Sequence, residues 1–437
     1  GKWCEECKEN VNRPPHEANV AEQTEHSING GGLKFDYFSP NENHRFNVFA
    51  SAQHINRDSY YGPGDRDPLD AYGNTTDLNW MAGSQYVYSF GKCIFMPSDL
   101  TAGIEFNQDK LEDNMWGYNR TVDQKVNIGS AFLQNEWKND HWGFLIGGRL
   151  DKHNLINHVI FSPRANLRYN PTENINLRFS YSSGFRAPQA FDEDLHVENV
   201  GGNVAMVELA DNLKEERSQS LSASADIYHR FGAFQVNFLV EGFYTKLSDV
   251  FALTDGEVVD GILTRTRHNA SGAQVMGLTL EGKMAYLNKI QVQAGVTLQQ
   301  SHYSKPHIWN KEAPAVKKMM RTPNTYGYFT ATYTPIKPLS IALSGTYTGS
   351  MLVPHEPVPG FLENPITVNT KDFFDIGLKA AYDFKLYKSM NLQLNAGIQN
   401  IFNAYQDDFD KGADRDSGYI YGPSLPRSFF AGVKISY

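Results

Sequence analysis

Polar and apolar residues alternate with a period of two from one end of this chain to the other. No other feature narrows its fold so much. In Ile175-Asn176-Leu177-Arg178-Phe179-Ser180-Tyr181-Ser182 the odd positions are apolar or aromatic and the even positions are polar. Phe234-Gln235-Val236-Asn237-Phe238 and Asn391-Leu392-Gln393-Leu394-Asn395-Ala396 repeat the pattern. Successive side chains of a strand point to opposite faces, so each strand has one apolar face and one wet face. The wet face carries Arg178, Asn237, Glu241, Gln393 and Asn395. A soluble sandwich turns the apolar face inward, and a membrane barrel turns it outward. Strand length and turn order decide between them.

Many alternating segments run for about 10 to 16 residues, longer than the usual strands of globular sheets. Short and long connections alternate between them. Short ones include Ser39-Pro40-Asn41-Glu42-Asn43, Asn170-Pro171-Thr172-Glu173-Asn174, Arg230-Phe231-Gly232 and Pro335-Ile336-Lys337-Pro338. Long ones are expected near 58–76, 109–121, 184–215, 248–272, 303–321, 351–370 and 405–425. Short turns at one rim and long loops at the other mark an outer-membrane barrel. The expected fold is an all-β, transmembrane antiparallel barrel with about 17 strands in this chain. Counting back from the last strand, Ser428 to Tyr437, places residues 1–26 in a loop on the long-loop, extracellular side. Single-chain bacterial barrels have an even strand number and both ends on the inner side. Residues 1–437 therefore read as the C-terminal part of a barrel whose first strands lie upstream.

Composition agrees. No run of about 18 apolar residues exists, so a membrane helix is excluded, and mean hydropathy is −0.48. A barrel with one polar face needs no higher value. Aromatic residues make up 13% of the chain, with 23 Tyr and 27 Phe, enough for girdles at two membrane interfaces. The net charge of −9 argues against a nucleic-acid partner. Three cysteines are no disulfide framework. The start, Gly-Lys-Trp-Cys, is no signal peptide, so mature or truncated sequence is expected.

Three stretches and the last strand carry a family resemblance. Tyr181-Ser182-Ser183-Gly184-Phe185-Arg186-Ala187-Pro188 resembles the GFRAP segment of TonB-dependent receptors. Asp211-Asn212-Leu213-Lys214-Glu215-Glu216-Arg217-Ser218 is similar to the NPxLKPExS segment that follows it, without its two prolines. Gly397-Ile398-Gln399-Asn400-Ile401-Phe402-Asn403 resembles the penultimate NLFN strand, and Phe429 to Tyr437 ends in an aromatic like other outer-membrane proteins. The resemblance implies a plugged barrel of about 22 strands. It implies about five strands and a plug missing from this chain, and a TonB complex that touches the plug. The companion fragment, lipid and lipopolysaccharide of the bacterial outer membrane, and a surface lipoprotein complete the expected partners.

The implied function is energy-coupled uptake of a metal chelate: a siderophore, haem or a cobalamin. Alternatives are a passive porin, and a glycan or peptide uptake receptor working with a surface lipoprotein. No GxSxG elbow, HExxH helix or P-loop supports an enzyme. No resident cofactor is required.

Candidate ligand-binding residues are Arg186, His196, His302, His307, Met319 and Met320. Pro188 ends a strand, so the Arg186 motif reads as structure or as a wet-lumen contact. His196 lies between the two family segments, where haem receptors similar to this family place an axial ligand; an ordinary solvated histidine is the alternative. His302, His307, Met319 and Met320 offer imidazole and thioether donors to copper or haem iron, or are a chance grouping. Cys4 and Cys7 form a CxxC that suits a small disulfide, or a soft metal with His16 or His26. Asp65, Asp67 and Asp70, and Asp407, Asp408, Asp410, Asp414 and Asp416, offer oxygens to calcium or form solvated acidic loops.

Overall fold

A computed structural model describes residues 14–18, 20–63, 67–197, 204–259, 261–387, 389–412, 415–416, 418–423 and 425–437. The first strands are β1 (Val20–Phe38), β2 (His44–Pro63), β3 (Tyr72–Cys93), β4 (Met96–Met115), β5 (Arg120–Lys138), β6 (Trp142–His153), β7 (Ile160–Thr172) and β8 (Ile175–Arg186). After β9 (Val204–Leu209) come β10 (Glu216–Phe231), β11 (Phe234–Ser248), β12 (Phe251–Val259), β13 (Ile262–Asn269), β14 (Ala273–Tyr286), β15 (Ile290–His307) and β16 (Val316–Lys318). The chain finishes with β17 (Thr325–Ile336), β18 (Leu339–Thr348), β19 (Leu352–His355), β20 (Ile366–Asn369), β21 (Phe373–Tyr387), β22 (Met390–Gln399) and β23 (Ser428–Ser436).

One 18-stranded antiparallel sheet dominates. Setting aside the three-residue β16, its members follow chain order as 17 long staves, each paired with the next: β1 to β8, β10, β11, β14, β15, β17, β18, β21, β22 and β23. That matches the number expected from alternation. Among the described residues β1 pairs only with β2, and β23 only with β22. The remaining strands ride on the long loops: parallel β9–β13 with β12, and the β19–β20 hairpin. No helix of the described residues is long and apolar enough to cross a membrane.

Connections alternate strictly. At one rim they shrink to turns such as Ile94-Phe95, Glu173-Asn174 and Lys337-Pro338. At the other they lengthen to 187–215, 249–272 and 400–427. Two long loops expected from the sequence are corrected. Loops 58–76 and 109–121 contract to 64–71 and 116–119, because β2 to β5 run on for 19 to 22 residues. Residues 20–26, expected within a loop, form the outer part of β1, paired with Arg57 to Pro63. Burial still alternates at the outer end of β4, where Leu111, Asp113 and Met115 are buried, while residues 22–26 are polar on both faces; in both places the backbone ladder continues above the apolar belt.

Register carries each face across the sheet. Phe179 faces Ala223, which faces Gly242, then Leu278 and Leu298. The opposite face reads Arg178, Ser224, Glu241, Thr279 and Thr297 along the same strands. Cross-strand pairs of one polarity stabilise such a sheet and fix its register. Close packing uses glycine: a Cβ on Gly345 would stand 2.3 Å from the Phe329 ring opposite.

Aromatic side chains collect at the short-turn rim. Trp142 stacks on Tyr169 at 4.2 Å, Phe95 on Trp137 at 5.6 Å, and Phe234 meets Tyr286 at 4.5 Å. On β11, Phe234 and Tyr244 stand ten residues apart on the apolar face. At about 3.4 Å per residue and a tilt near 45°, that spans about 25 Å, the height of a barrel's lipid-facing band.

Candidate functional site

The long-loop rim holds most of the buried side chains. Arg57, Thr75 and Asp113 are successive register partners on the polar face of β2, β3 and β4. Their placement follows from alternation, but their partners come from far along the chain. Arg57 Nη1 reaches the Asp192 carboxylate at 2.5 Å, and its Nε and Nη2 donate to Thr75 Oγ1. The Thr75 hydroxyl donates to Asp113 at 2.6 Å. Arg120, first residue of β5, clasps the other Asp113 oxygen through Nε and Nη2 at 3.1 and 2.9 Å. Its Nη2 also donates to the Leu195 carbonyl at 2.7 Å. One residue earlier, Asp194 pairs with Arg267 of β13 at 2.5 and 2.7 Å. Asp113 is 1% exposed, so its charge is tolerable only because two guanidiniums flank it.

These contacts tie the segment after β8 onto the polar face of β2 to β5. The polar rows enclose that segment, so the polar face lines the inside. Apolar contacts complete the seat. Tyr61, Met115 and Tyr118 pack with Val197, Val204 and Met206, and Leu111 packs with Ala190 and Leu195. Beside this seat lies a cavity of about 910 Å³, lined among others by Tyr118, Gln124, Leu195, Met206, Leu209 and Ile262. Small-molecule sites run to about 300–1,000 Å³ with mostly apolar walls and a few placed polar groups.

Arg186 ends β8 with its guanidinium over the Phe191 ring at 4.0 Å and the Phe251 ring at 5.6 Å. Arg267 approaches the same two rings at 5.9 and 5.8 Å. The motif's arginine thus contacts aromatic rings at the loop base. His196 follows the short helical turn Asp192–Leu195, with its ring edge-on to Tyr61 at 5.1 Å and Nδ1 3.3 Å from the Tyr61 hydroxyl. His302 is in register with Gln274 and Lys318, on the apolar-belt side. The His307 ring lies tilted against Tyr303 at 4.9 Å, and burial, with His268 nearby, pushes its imidazole below the ordinary range. Met319 and Met320 sit half-buried beyond β16, where the Met319 amide donates to the Ser301 carbonyl.

Asp67 accepts the Leu69 amide at 2.9 Å and caps the helical turn Pro68–Ala71, in which Asp70 lies. His16 bonds the Tyr72 hydroxyl at 2.7 Å. Cys4, Cys7, Asp65 and Asp414 lie outside the described residues. Among the described residues no group of three or more His, Cys, Asp or Glu could hold a metal ion.

A second seat forms where loops 349–372 and 400–427 meet. His355 stacks flat on Tyr419 at 3.8 Å and meets Asp410 at 2.9 Å. Asp408 accepts both the Tyr419 and Tyr421 hydroxyls, and Asp407 pairs with Lys371. Asp416 accepts the Glu356 and Gly418 amides. These aspartates serve as loop struts. Asn400 anchors the base: it is 2% exposed, at φ 48°, and bonds Ala404 and Leu425. The arginine network and this anchor were missed from sequence. Alternation places Arg57, Thr75 and Asp113 on one face, but nothing local signals which loop meets them.

A family model described as TonB dependent receptor-like, beta-barrel matches residues 12–401. No curated protein matches the chain. Among solved structures, the siderophore receptor PirA from Acinetobacter baumannii is similar at TM-score 0.68 and 15% identity, over 94% of this chain and 62% of that one. The ferric-catecholate import receptor Fiu from E. coli K12 gives 0.66 and 13%, over 94% and 64%. The FrpB iron transporter from Neisseria meningitidis gives 0.66 and 16%, over 94% and 64%. The chain thus spans less than two thirds of these structures, and at such identities the likeness concerns fold.

Proposed function

This chain belongs to the TonB-dependent receptor family, and from that membership we propose that it is the membrane-spanning wall and outer mouth of an energy-coupled receptor for a metal chelate. Receptors of the family are outer-membrane transporters rather than enzymes, and membership implies TonB and a plug domain. The observation that carries the reading is the outer-rim cavity of about 910 Å³, lined by both apolar and polar side chains and seated on a buried charge network above a polar lumen. It has the size of a small-molecule site. The chelate class draws on similar structures whose names specify a siderophore receptor, a ferric-catecholate import receptor and an iron transporter.

In this reading the missing strands, about five for a 22-stranded barrel, pair with β1 and β23 and close the sheet, and a plug fills the lumen. In this reading the imidazole of His196 at the rim is the group offered to a haem-type ligand. The test is growth of a strain lacking the receptor and restored with it, under metal limitation, on ferric siderophores, haem or cobalamin in turn. One of these should support growth only when both receptor and TonB are present. Uptake that ignores TonB, or rescue by a glycan alone, would refute the proposal.

A further inference from the structure

Two open strand edges flank the cavity at the outer rim. β5 begins at Arg120, but its pairing with β6 begins only at Ile128 and His153. Below the gap Asn154 closes the edge. Its side-chain amide donates to the Lys125 carbonyl at 2.7 Å, and its main chain donates to the Asn127 carbonyl at 3.0 Å. Lys125 and Asn127 thus turn their backbone groups away from β4, and by the alternation of an antiparallel ladder so do Thr121 and Asp123. No strand of the described residues meets them there. β9 lies at the margin of the three-stranded loop sheet and pairs with β13 alone among the described residues. The Ala210 amide donates to the Arg267 carbonyl at 2.9 Å, so Val207 and Leu209 turn their backbone groups the other way.

The cavity touches both strands edge-on. A strand that shows a cavity one face lines it with every second residue. Here residues 118–125 and 206–211 line it without a gap. The size agrees. At a rise of about 3.4 Å, a strand spacing of about 4.8 Å and a layer spacing of about 10 Å, an extended residue fills roughly 160 Å³. A cavity of about 910 Å³ therefore takes about five or six residues, close to the length that each edge presents. Its charge is one-sided. Arg120 and Asp194 of the lining are engaged with Asp113 and Arg267. The other charged groups of the lining are Asp123, Glu208 and Asp211, all exposed, against Lys125 alone.

We propose that the chelate bound here is built on a linear peptide with basic side chains, whose backbone is added as a strand between β5 and β9. The proposal rests on the transport reading of this cavity and goes further by naming the ligand's scaffold. Extended peptides join open sheet edges in this way: main-chain hydrogen bonds give affinity, and pockets for alternate side chains give specificity. Apolar side chains of the added strand meet Leu195, Met206, Leu209 and Ile262, and basic ones meet Asp123, Glu208 and Asp211. A compact, anionic chelate gains neither the edge bonds nor the charge complementarity.

The test uses the native receptor purified from outer membranes in mild detergent. The probe is a ferric trihydroxamate head joined to a linear hexapeptide of alternating valine and lysine. Its dissociation constant is compared with those of three controls: the head alone, the probe N-methylated along its peptide backbone, and the probe with glutamate in place of lysine. The linear basic probe should bind about tenfold tighter, or more, than each control. Thr121→Pro and Val207→Pro each remove one N–H that faces the cavity and leave the ladders to β4 and β13 intact, since proline is tolerated on an open strand edge. The double variant should bind the linear probe no better than the head alone. Equal affinity for the N-methylated or the glutamate probe, or unchanged affinity in the double variant, overturns the proposal. The probe comparisons need no variant, and heat-modifiable gel mobility confirms that the double variant is folded. Binding is read on purified protein and TonB-dependent uptake of the ferric head on cells, so a failed slot and a failed transport reading are told apart.

Discussion

Asp113 shows how much one side chain can hold at the outer rim. It is nearly inaccessible and sits between Arg57 and Arg120, whose other bonds reach Asp192 and the Leu195 carbonyl. Removing one member of a buried ion pair costs roughly 3–5 kcal/mol, because the partners keep their charge without compensation. Asp192 makes an ion pair of similar length, but its own side chain is 85% exposed. Losing an exposed pair costs about 0–1 kcal/mol. Asp113→Ala should therefore open segment 187–197 to external protease on intact cells, while Asp192→Ala should leave it nearly as resistant as before. Equal sensitivity of the two variants would show that burial does not set the strength of this network.

At the scale of elements, the loops 349–372 and 400–427 form one clasp that should respond to pH at both ends. Burial pulls the Asp408 carboxyl up, but hydrogen bonds from Tyr421, Tyr419 and Gln406 outweigh it and hold the group below the ordinary carboxylate range. A depressed folded value means that the contribution is complete above the ordinary carboxylate range and is lost as pH falls through the depressed value. Tyr419 behaves in the opposite sense. Burial and its bond to Asp408 push the phenol from 10.0 up to about 12. Its contribution is complete below 10 and is lost as pH rises toward 12. The phenolate absorbance lost on Tyr419→Phe should accordingly appear only well above pH 10 in an alkaline titration. Near-UV circular dichroism of the clasp should stay constant between the two limits. A Tyr419 phenol that titrates at its ordinary value would contradict this account.

For the whole molecule, the sheet's two outer strands are the decisive feature. β1 and β23 each pair on one side only among the described residues, and both carry large exposed apolar residues, including Leu33, Phe35, Phe429 and Val433. An unpaired apolar edge recruits other chains unless something covers it. If further strands close the barrel, residues 1–437 refolded alone should associate through these edges. Adding the closing segment should convert them to a heat-modifiable monomer, followed by light scattering and gel mobility. A monodisperse pore formed by residues 1–437 alone would refute closure by a further segment.

Alternation and turn order were enough, within the sequence, for the strand count, the two rims and the polarity of each face. Those properties are local: a side chain's face depends on residue parity, and a two-residue turn needs no distant partner. Arg178 and Glu241 were legible as wet-face residues for that reason. The candidate site was much less legible. Arg186 lies over aromatic rings at the loop base and Asp67 caps a helical turn, contacts made with neighbours that sequence does not place. The tertiary structure decided that Asp113 joins Arg57 and Arg120 to the segment after β8, and that Lys246, His302 and Lys318 share one row. Burial, charge compensation and register between strands far apart in the chain exist only once the sheet has curved and the loops have folded over its rim.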